Sequence, residues 1–116
     1  MSFKSDVVFN KIKEIIRTDK DLVRKVGTSF RINVAGPNGT VKTWTIVAKS
    51  DNPYIGDDKS RVVDIEININ DSDVVSIATG QLKADEAFKQ GKIKLKGNIA
   101  KIMQLRNTLD PNMLKL

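Results

Sequence analysis

The sequence predicts an α+β domain in which a mostly antiparallel sheet carries its helices on one face. Three observations lead to this fold class. Segments with a helical apolar period alternate with segments of period two, and Pro37-Asn38-Gly39 is a strong hairpin signal between two of the latter. The 116 residues, 40% hydrophobic and 29% charged, are enough for one hydrophobic core and therefore for a single domain over 1–116.

The chain begins with a predicted amphipathic helix over 4–17 and a short second helix over 21–26. At 100° per residue the apolar side chains of the first helix fall within an arc of about 120°, the width of a core-facing stripe. That stripe comprises Val8, Phe9, Ile12, Ile15 and Ile16. Lys11 borders it on one side, and Lys13 and Arg17 border it on the other. Gly27 ends the second helix as a left-handed cap.

Three strands with one apolar face each are predicted between residues 30 and 69. Strict alternation of apolar and polar side chains indicates a strand that is buried on one side. The alternating apolar positions are Phe30, Ile32 and Val34, then Trp44, Ile46 and Ala48, and then Val63, Ile65, Ile67 and Ile69. The loop of residues 50–61 is long enough for a short edge strand at Tyr54-Ile55.

The C-terminal half predicts three more helices and a last strand. Asn70-Asp71 is a natural N-cap for a helix over 72–79, and a second short helix over 84–90 ends at Gly91. Ile93 and Leu95 alternate with lysines as a strand. The final helix starts at Asn98 and ends near residue 107, with an apolar arc of about 160°. That arc holds Ile99, Ile102, Met103, Leu105 and Leu109, with Arg106 inside it.

Composition excludes much of the catalytic repertoire. The chain has no Cys and no His, so it offers neither a thiolate nucleophile nor a Ser-His-Asp triad. Imidazole or thiolate sites for zinc, haem or copper are excluded for the same reason. Paired carboxylates or a hard-metal site remain as an enzymatic alternative, with the candidates Asp64, Glu66, Asp71 and Asp73. We expect no catalytic residue, no metal and no cofactor, because alternation puts Asp64 and Glu66 on the wet face and Asp71 caps a helix.

Charge is unevenly distributed, and it favours an anionic partner. The net charge is +6, with +4 over residues 1–36, −3 over 37–82 and +5 over 83–116. Only five of the 20 basic residues are Arg, and Trp44 and Tyr54 lie in the acidic middle, a pattern that speaks against nucleic acid. An anionic membrane surface is therefore the expected partner, docked through the first helix. The alternative is a lysine-rich surface that serves solubility alone.

The stretch from residue 78 to residue 105, ATGQLKADEAFKQGKIKLKGNIAKIMQL, resembles the sterol carrier protein 2 family of nonspecific lipid-transfer proteins. The ordered elements of the resemblance are Asp71, Gly80-Gln81-Leu82, Ala87-Phe88, Gln90-Gly91-Lys92-Ile93-Lys94-Leu95-Lys96-Gly97-Asn98 and the apolar helix that follows. The hairpin from Phe30 to Lys49, with Thr43-Trp44, is similar to the family's first hairpin. The likeness covers roughly residues 3–109.

The resemblance implies a five-stranded sheet, about five helices and an apolar tunnel between them. It also implies a non-enzymatic carrier that binds fatty acids, fatty acyl-CoA, phospholipids or sterols and transfers them between membranes or enzymes. The apolar side chains of the helices and the inner sheet face are the expected lipid-binding residues: Val8, Ile12, Ile15, Phe30, Ile32, Val34, Trp44, Ile46, Ile65, Ile67, Ile77, Leu82, Phe88, Ile93, Leu95, Ile99, Ile102 and Met103. Arg106 is the expected anchor for a fatty-acid carboxylate or a CoA phosphate.

The alternative function is that of a protein-interaction module that binds no lipid. The compartment also has two interpretations. Leu114-Lys115-Leu116 is similar to the Ser-Lys-Leu address of the peroxisomal import receptor, so we expect a peroxisomal location and that receptor as a partner. Leu114 stands where a small residue is usual, and the alternative is an accidental tail on a cytoplasmic carrier.

Overall fold

The computed structural model describes residues 3–49 and 52–108, the last five of these as backbone only. Five α-helices and five strands follow one another along the chain, with a turn of 3₁₀ helix in the first hairpin. In order they are α1 (Asp6–Thr18), α2 (Lys20–Val26), β1 (Thr28–Ala35), β2 (Val41–Ala48), β3 (Tyr54–Gly56), β4 (Ile65–Asn70), α3 (Asp71–Ala78), α4 (Ala84–Lys89), β5 (Ile93–Gly97) and α5 (Ile99–Thr108).

The strands form a single mixed sheet in the order β3-β2-β1-β4-β5. Strand β1 pairs with β2 antiparallel and with β4 parallel, and the two outer pairs, β2–β3 and β4–β5, are antiparallel. The predicted α+β class with a mostly antiparallel sheet is therefore confirmed, and the parallel β1–β4 pair is the exception.

Register places the alternating apolar side chains of β1, β2, β4 and β5, together with Ile55 of β3, on the same face, whereas Val41 and Val47 lie on the other face. Phe30 lies opposite Ile46 on one side and Ile65 on the other, and Val34 lies between Lys42 and Ile69. This inner face packs against the helices, because one cluster of buried side chains joins strand, α1, α2 and α3 residues. Its members include Val8, Phe9 and Ile16 of α1, Val23 of α2, Val34, Ile46 and Ile69 of the sheet, and Val74 and Ala78 of α3.

The local signals for helix and turn ends are confirmed at several positions. Gly27 ends α2 with a left-handed backbone at φ 56°, and Asn38 takes φ 59° in the turn between β1 and β2. Asn98 accepts a hydrogen bond from the Lys101 backbone N–H at 3.2 Å and so caps α5. Strand β4 begins at Ile65. The prediction that this strand already includes Val63 is therefore wrong.

The predicted capping role of Asp71 has to be corrected. Its carboxylate does not serve α3, which it begins, but accepts hydrogen bonds from the backbone N–H groups of Lys4 at 2.9 Å and Ser5 at 2.8 Å. Asp71 is 9% exposed and thereby ties the chain before α1 to the start of α3. This long-range contact fixes the start of α1 next to the end of β4.

Candidate functional site

One transverse row of the inner sheet face is incompletely covered. Trp44 of β2, Ile32 of β1, Ile67 of β4 and Leu95 of β5 lie side by side in register, and all four are half-buried. Incomplete burial is unexpected for Ile32 and Ile67, because β1 and β4 are interior strands and face the helix layer. We call this row of partly accessible apolar side chains the apolar groove. It crosses four strands, about 14 Å at the usual strand spacing, and three of its members, Trp44, Ile32 and Ile67, also pack against the buried core.

The rows on either side of the groove are more deeply buried at their centres. On one side Ile46 and Ile65 are buried, with Phe30 half-buried between them. On the other side Val34 and Ile69 are buried, and the row ends Lys42 and Ile93 are half-buried. The groove is thus a strip of partly accessible apolar surface, which suits a long, thin apolar molecule.

Exposed apolar side chains belong to the two helices that precede and follow β5. Phe88 of α4 is 50% exposed, and Ile99 and Met103 of α5 are 76% and 51% exposed. No acidic residue occurs from Ala87 to Met103, whereas five lysines do. The β5 end of the molecule therefore combines accessible apolar surface with positive charge.

The β2 end of the groove is polar. The Trp44 ring stacks on Phe9 of α1 with centroids 4.7 Å apart, and Lys42 Nζ lies 5.1 Å from the Trp44 ring centroid. Lys42 in turn forms an ion pair of 2.8 Å with Asp6. The hydrogen bond from Lys42 is the main cause that holds the pKa of Asp6 below its ordinary value.

The outer face of the sheet is a hydrogen-bonded polar layer, and the depression of about 400 Å³ on it is lined largely by asparagine and lysine side chains. Asn33 donates to Glu66 at 3.1 Å and to Asn68 at 3.0 Å, and Thr43 donates to Asn33 at 2.9 Å. Arg31 donates to Thr45 and to carbonyl groups of the loop after β3. An apolar ligand would have to break these bonds, so the inner face is the better candidate site.

The carboxylates considered for catalysis have structural partners. Asp64 accepts from Thr28, Ser29 and Lys49, and Asp71 accepts from the chain before α1. Burial raises the pKa of Asp64, but the hydrogen bonds from Lys49 and Ser29 outweigh it and leave the pKa lowered. Within the described residues, no group of three or more Asp and Glu side chains could hold a metal ion.

The expected lipid-binding residues divide into four sets by accessibility. Core side chains with little accessible surface are Val8, Val34, Ile46 and Ile65. Half-buried side chains are Ile12, Ile15, Phe30, Ile32, Trp44, Ile67, Ile77, Leu82, Ile93, Leu95 and Ile102. Exposed side chains are Phe88, Ile99 and Met103. The side chain of Arg106 lies outside the described part of the chain, as does Leu114-Lys115-Leu116.

Sequence reasoning missed the polar end of the groove. Lys42 and Asp6 are 36 residues apart, so no local pattern pairs them. The signal that could have found Lys42 is its place two residues before Trp44, because alternation puts both side chains on the inner face. Among the described residues, no helix is long and apolar enough to cross a membrane.

Comparison with known sequences gives a consistent result. Residues 9–110 match the profile of the SCP-2 sterol transfer family. A protein of Caenorhabditis elegans named non-specific lipid-transfer protein-like 1 is 66% identical over 115 residues, which are 99% of this chain and 98% of that protein. Sterol carrier protein 2 of Oryctolagus cuniculus is 34% identical over 117 residues. That match spans 98% of this chain but only 21% of the rabbit protein, so the chain corresponds to about a fifth of the longer relative.

Solved structures share the fold. The solution structure of sterol carrier protein domain 2 of Helicoverpa armigera superimposes with a TM-score of 0.76 at 31% identity, covering 90% of this chain and 84% of that one. A sterol carrier protein-2 of Aedes aegypti, solved in complex with the C16 fatty acid palmitate, gives a TM-score of 0.71 at 28% identity. That match covers 99% of this chain and all of the mosquito chain.

Proposed function

The chain belongs to the SCP-2 sterol transfer family, and from that premise we propose that it carries single lipid molecules in the apolar groove between sheet and helices. The ligands we propose are fatty acids, fatty acyl-CoA, phospholipids or sterols, passed between membranes or enzymes without chemical change. A tunnel formed by the groove floor and the helices above it would shield the lipid chain from water.

The half-buried row Trp44, Ile32, Ile67 and Leu95 is the observation that carries this proposal. A core that served stability alone would bury its interior-strand side chains. Here the neighbouring rows are buried at their centres, while every side chain of the central row keeps accessible apolar surface. The palmitate complex of the mosquito relative supports a fatty acid as one ligand class.

Bulk apolar burial supplies enough free energy for such binding. About 16 methylenes at ~0.8 kcal/mol each give roughly 13 kcal/mol of gross stabilisation. Association costs about 4–15 kcal/mol, so micromolar-like affinity is reached without a strong polar anchor. Selectivity between chain lengths is then weak, because one methylene changes the balance by less than about 1 kcal/mol.

A pair of matched variants tests the location of the site. Ile67→Lys places a charge on the groove floor, and Val62→Lys makes the same kind of change at a 92% exposed position of the loop between β3 and β4. Isothermal titration of palmitate into folded protein, with circular dichroism as the folding check, should show binding to the wild type and to Val62→Lys. Loss of palmitate binding in Ile67→Lys alone supports the groove as the binding site. Equal palmitate affinity in the two variants contradicts it.

Transfer to an anionic membrane is the second part of the proposal, and α1 supports it through charge. The apolar stripe of α1 packs into the core, so it is not free to enter a bilayer. Lys13 and Arg17 are exposed, Lys11 is half-buried, and Val7 is 62% exposed. Each basic residue near an anionic surface adds about 1 kcal/mol, enough for transient docking by these side chains.

A further inference from the structure

Lys42 is the only charged side chain among the inner-face strand positions. The register row that contains it continues through Val34, Ile69 and Ile93, all apolar. A lysine in such a row is held by a partner, and Asp6 supplies it at 2.8 Å. The pair therefore sits at one end of the groove, next to Trp44.

One buried polar atom beside this pair, Trp44 Nε1, has no hydrogen-bond partner among the described residues. The Trp44 ring lies under Lys42 Nζ. Buried donors without an acceptor are rare in folded proteins, and each one calls for an explanation.

A depression opens at the same place on the surface. It has a volume of about 590 Å³ and is lined by Val41, Lys42, Thr43, Trp44, Gly56, Asp57 and Lys59. The depression lies where β3 pairs with only Thr45, Ile46 and Val47, which leaves the first half of β2 without a partner strand on the side away from β1. Trp44 is therefore accessible through this depression from the β3 side of the sheet.

We propose that this corner is a headgroup subsite for a lipid with an uncharged hydroxyl group, a long-chain alcohol or a sterol, and that Trp44 Nε1 donates a hydrogen bond to that oxygen. This inference deepens the proposed function and rests on it. A hydroxyl group both accepts and donates, so its oxygen can accept the indole N–H while its own O–H donates to the Asp6 carboxylate.

Local charge disfavours an anionic headgroup in this corner. The positive charges of Lys42 and Lys59 are matched by Asp6 and Asp57, and Asp71 lies close enough to Asp6 for the two carboxylates to repel each other. A carboxylate headgroup would add a further negative charge beside Asp6, whose partner Lys42 is already engaged. A fatty acid is therefore expected to place its headgroup elsewhere.

The indole signal of the single Trp gives a direct test. Uniformly ¹⁵N-labelled protein has one indole N–H resonance, which can be followed during titration with 1-dodecanol, dodecanoate and n-dodecane. When dodecanol binds, we expect the resonance of the indole proton to move downfield and its exchange with water to become slower. With the hydrocarbon it should show only the small change caused by nearby apolar contact, since no acceptor is present.

Two variants separate the hydrogen bond from packing. Trp44→Phe keeps an aromatic ring against Phe9 but removes the donor, so dodecanol binding should weaken roughly three- to tenfold while n-dodecane binding stays within twofold. Asp6→Asn removes the repelling charge, so the preference for dodecanol over dodecanoate should shrink by a similar factor. Phe9→Leu is the matched control, because it loosens the stack and leaves the indole donor in place.

The outcomes are distinguishable. Equal weakening of dodecanol and n-dodecane in Trp44→Phe, or an unmoved indole resonance during binding shown by calorimetry, overturns the subsite and leaves lipid binding intact. If none of the three ligands binds the wild type, the proposed function itself fails. Should Trp44→Phe not fold, the indole resonance of the wild type decides the matter alone.

Discussion

Phe9 of α1 stacks on Trp44 of β2 with their ring planes only 12° apart. This contact joins the helix layer to the sheet at the polar end of the groove. It also keeps one face of the indole covered by protein. The remaining surface of the indole is next to Ile32 along the groove floor, so the ring's surroundings should change when a lipid chain enters.

The fluorescence emission of Trp44 should therefore change when a lipid binds. Because the chain has a single Trp, titration with palmitate should change the intensity and the wavelength of the emission maximum, and the change should saturate with binding. Calorimetry on the same samples provides the independent measure of binding. An unchanged spectrum at saturation would place the ligand away from Trp44.

Asp71→Asn should destabilise the protein at neutral pH by about 1–3 kcal/mol, because Lys4 and Ser5 lose a charged acceptor. Burial is the largest influence on the pKa of Asp71 and raises it, but the hydrogen bonds from Ser5 and Lys4 together lower it below its ordinary value. Urea unfolding of wild type and variant at neutral pH measures the difference.

The pH dependence of that difference has a definite sign. A carboxyl with a lowered pKa contributes stability that is fully present above its unfolded pKa of about 3.9 and is lost as pH falls through the folded value. The gap between wild type and Asp71→Asn should therefore close below about pH 4. A gap that stays constant into strong acid would show that the Asp71 charge contributes nothing.

Gly97→Ala should be far more damaging than Gly91→Ala. Both glycines have positive φ, +126° and +74°, so each variant carries backbone strain of about 1–2 kcal/mol. A Cβ at Gly97 would also collide with the Asp64 carbonyl oxygen, whereas a Cβ at Gly91 meets nothing within 4 Å. Thermal denaturation should rank the two clearly. Equal melting temperatures would mean that the β4–β5 contact is looser than described.

Lys13→Glu should slow lipid transfer to anionic vesicles and make it less sensitive to salt. The change replaces an exposed cation beside the α1 surface, worth about 1 kcal/mol, with an anion. Lys94→Glu, an exposed lysine at an outward position of β5, is the control for net charge. The test is the rate at which a fluorescent fatty acid is transferred to the vesicles, measured at low and at high salt. Transfer independent of salt in the wild type would remove the membrane-docking role of α1.

Arg106→Gln should affect fatty acids and fatty alcohols differently. If Arg106 anchors the carboxylate, the variant binds dodecanoate more weakly by roughly 1–3 kcal/mol and binds dodecanol as the wild type does. This is the opposite pattern to Trp44→Phe, so the two variants test two different headgroup anchors. Calorimetric titration measures the affinity of the variant for each ligand. Equal losses of affinity for dodecanoate and dodecanol would indicate that the substitution disturbs the packing of α5.

Local patterns were sufficient for the elements and for the inner face of the sheet. Alternation placed Phe30, Ile32 and Val34 on one side of β1, and the Pro37-Asn38-Gly39 turn made the β1–β2 hairpin. These features depend on neighbours within a few residues. The α4 and α5 boundaries followed from Gly91 and Asn98 in the same way.

Long-range relationships were not accessible from the sequence. The tie between Asp71 and Ser5 joins residues 66 positions apart, and the pairing of Lys42 with Asp6 spans 36. The groove itself depends on how far the helices cover Ile32 and Ile67, which periodicity cannot specify, because it assigns a face but not the degree of burial. The parallel β1–β4 pair likewise follows from the crossover path rather than from either strand.

Native mass spectrometry of the purified wild-type protein tests lipid carriage most directly. The account predicts a protein species that carries one lipid molecule after purification, and complete conversion of lipid-free protein to a one-to-one complex when palmitate is added. Protein that emerges without lipid, and that also takes up neither palmitate nor dodecanol, would contradict the account and favour an interaction module that binds no lipid.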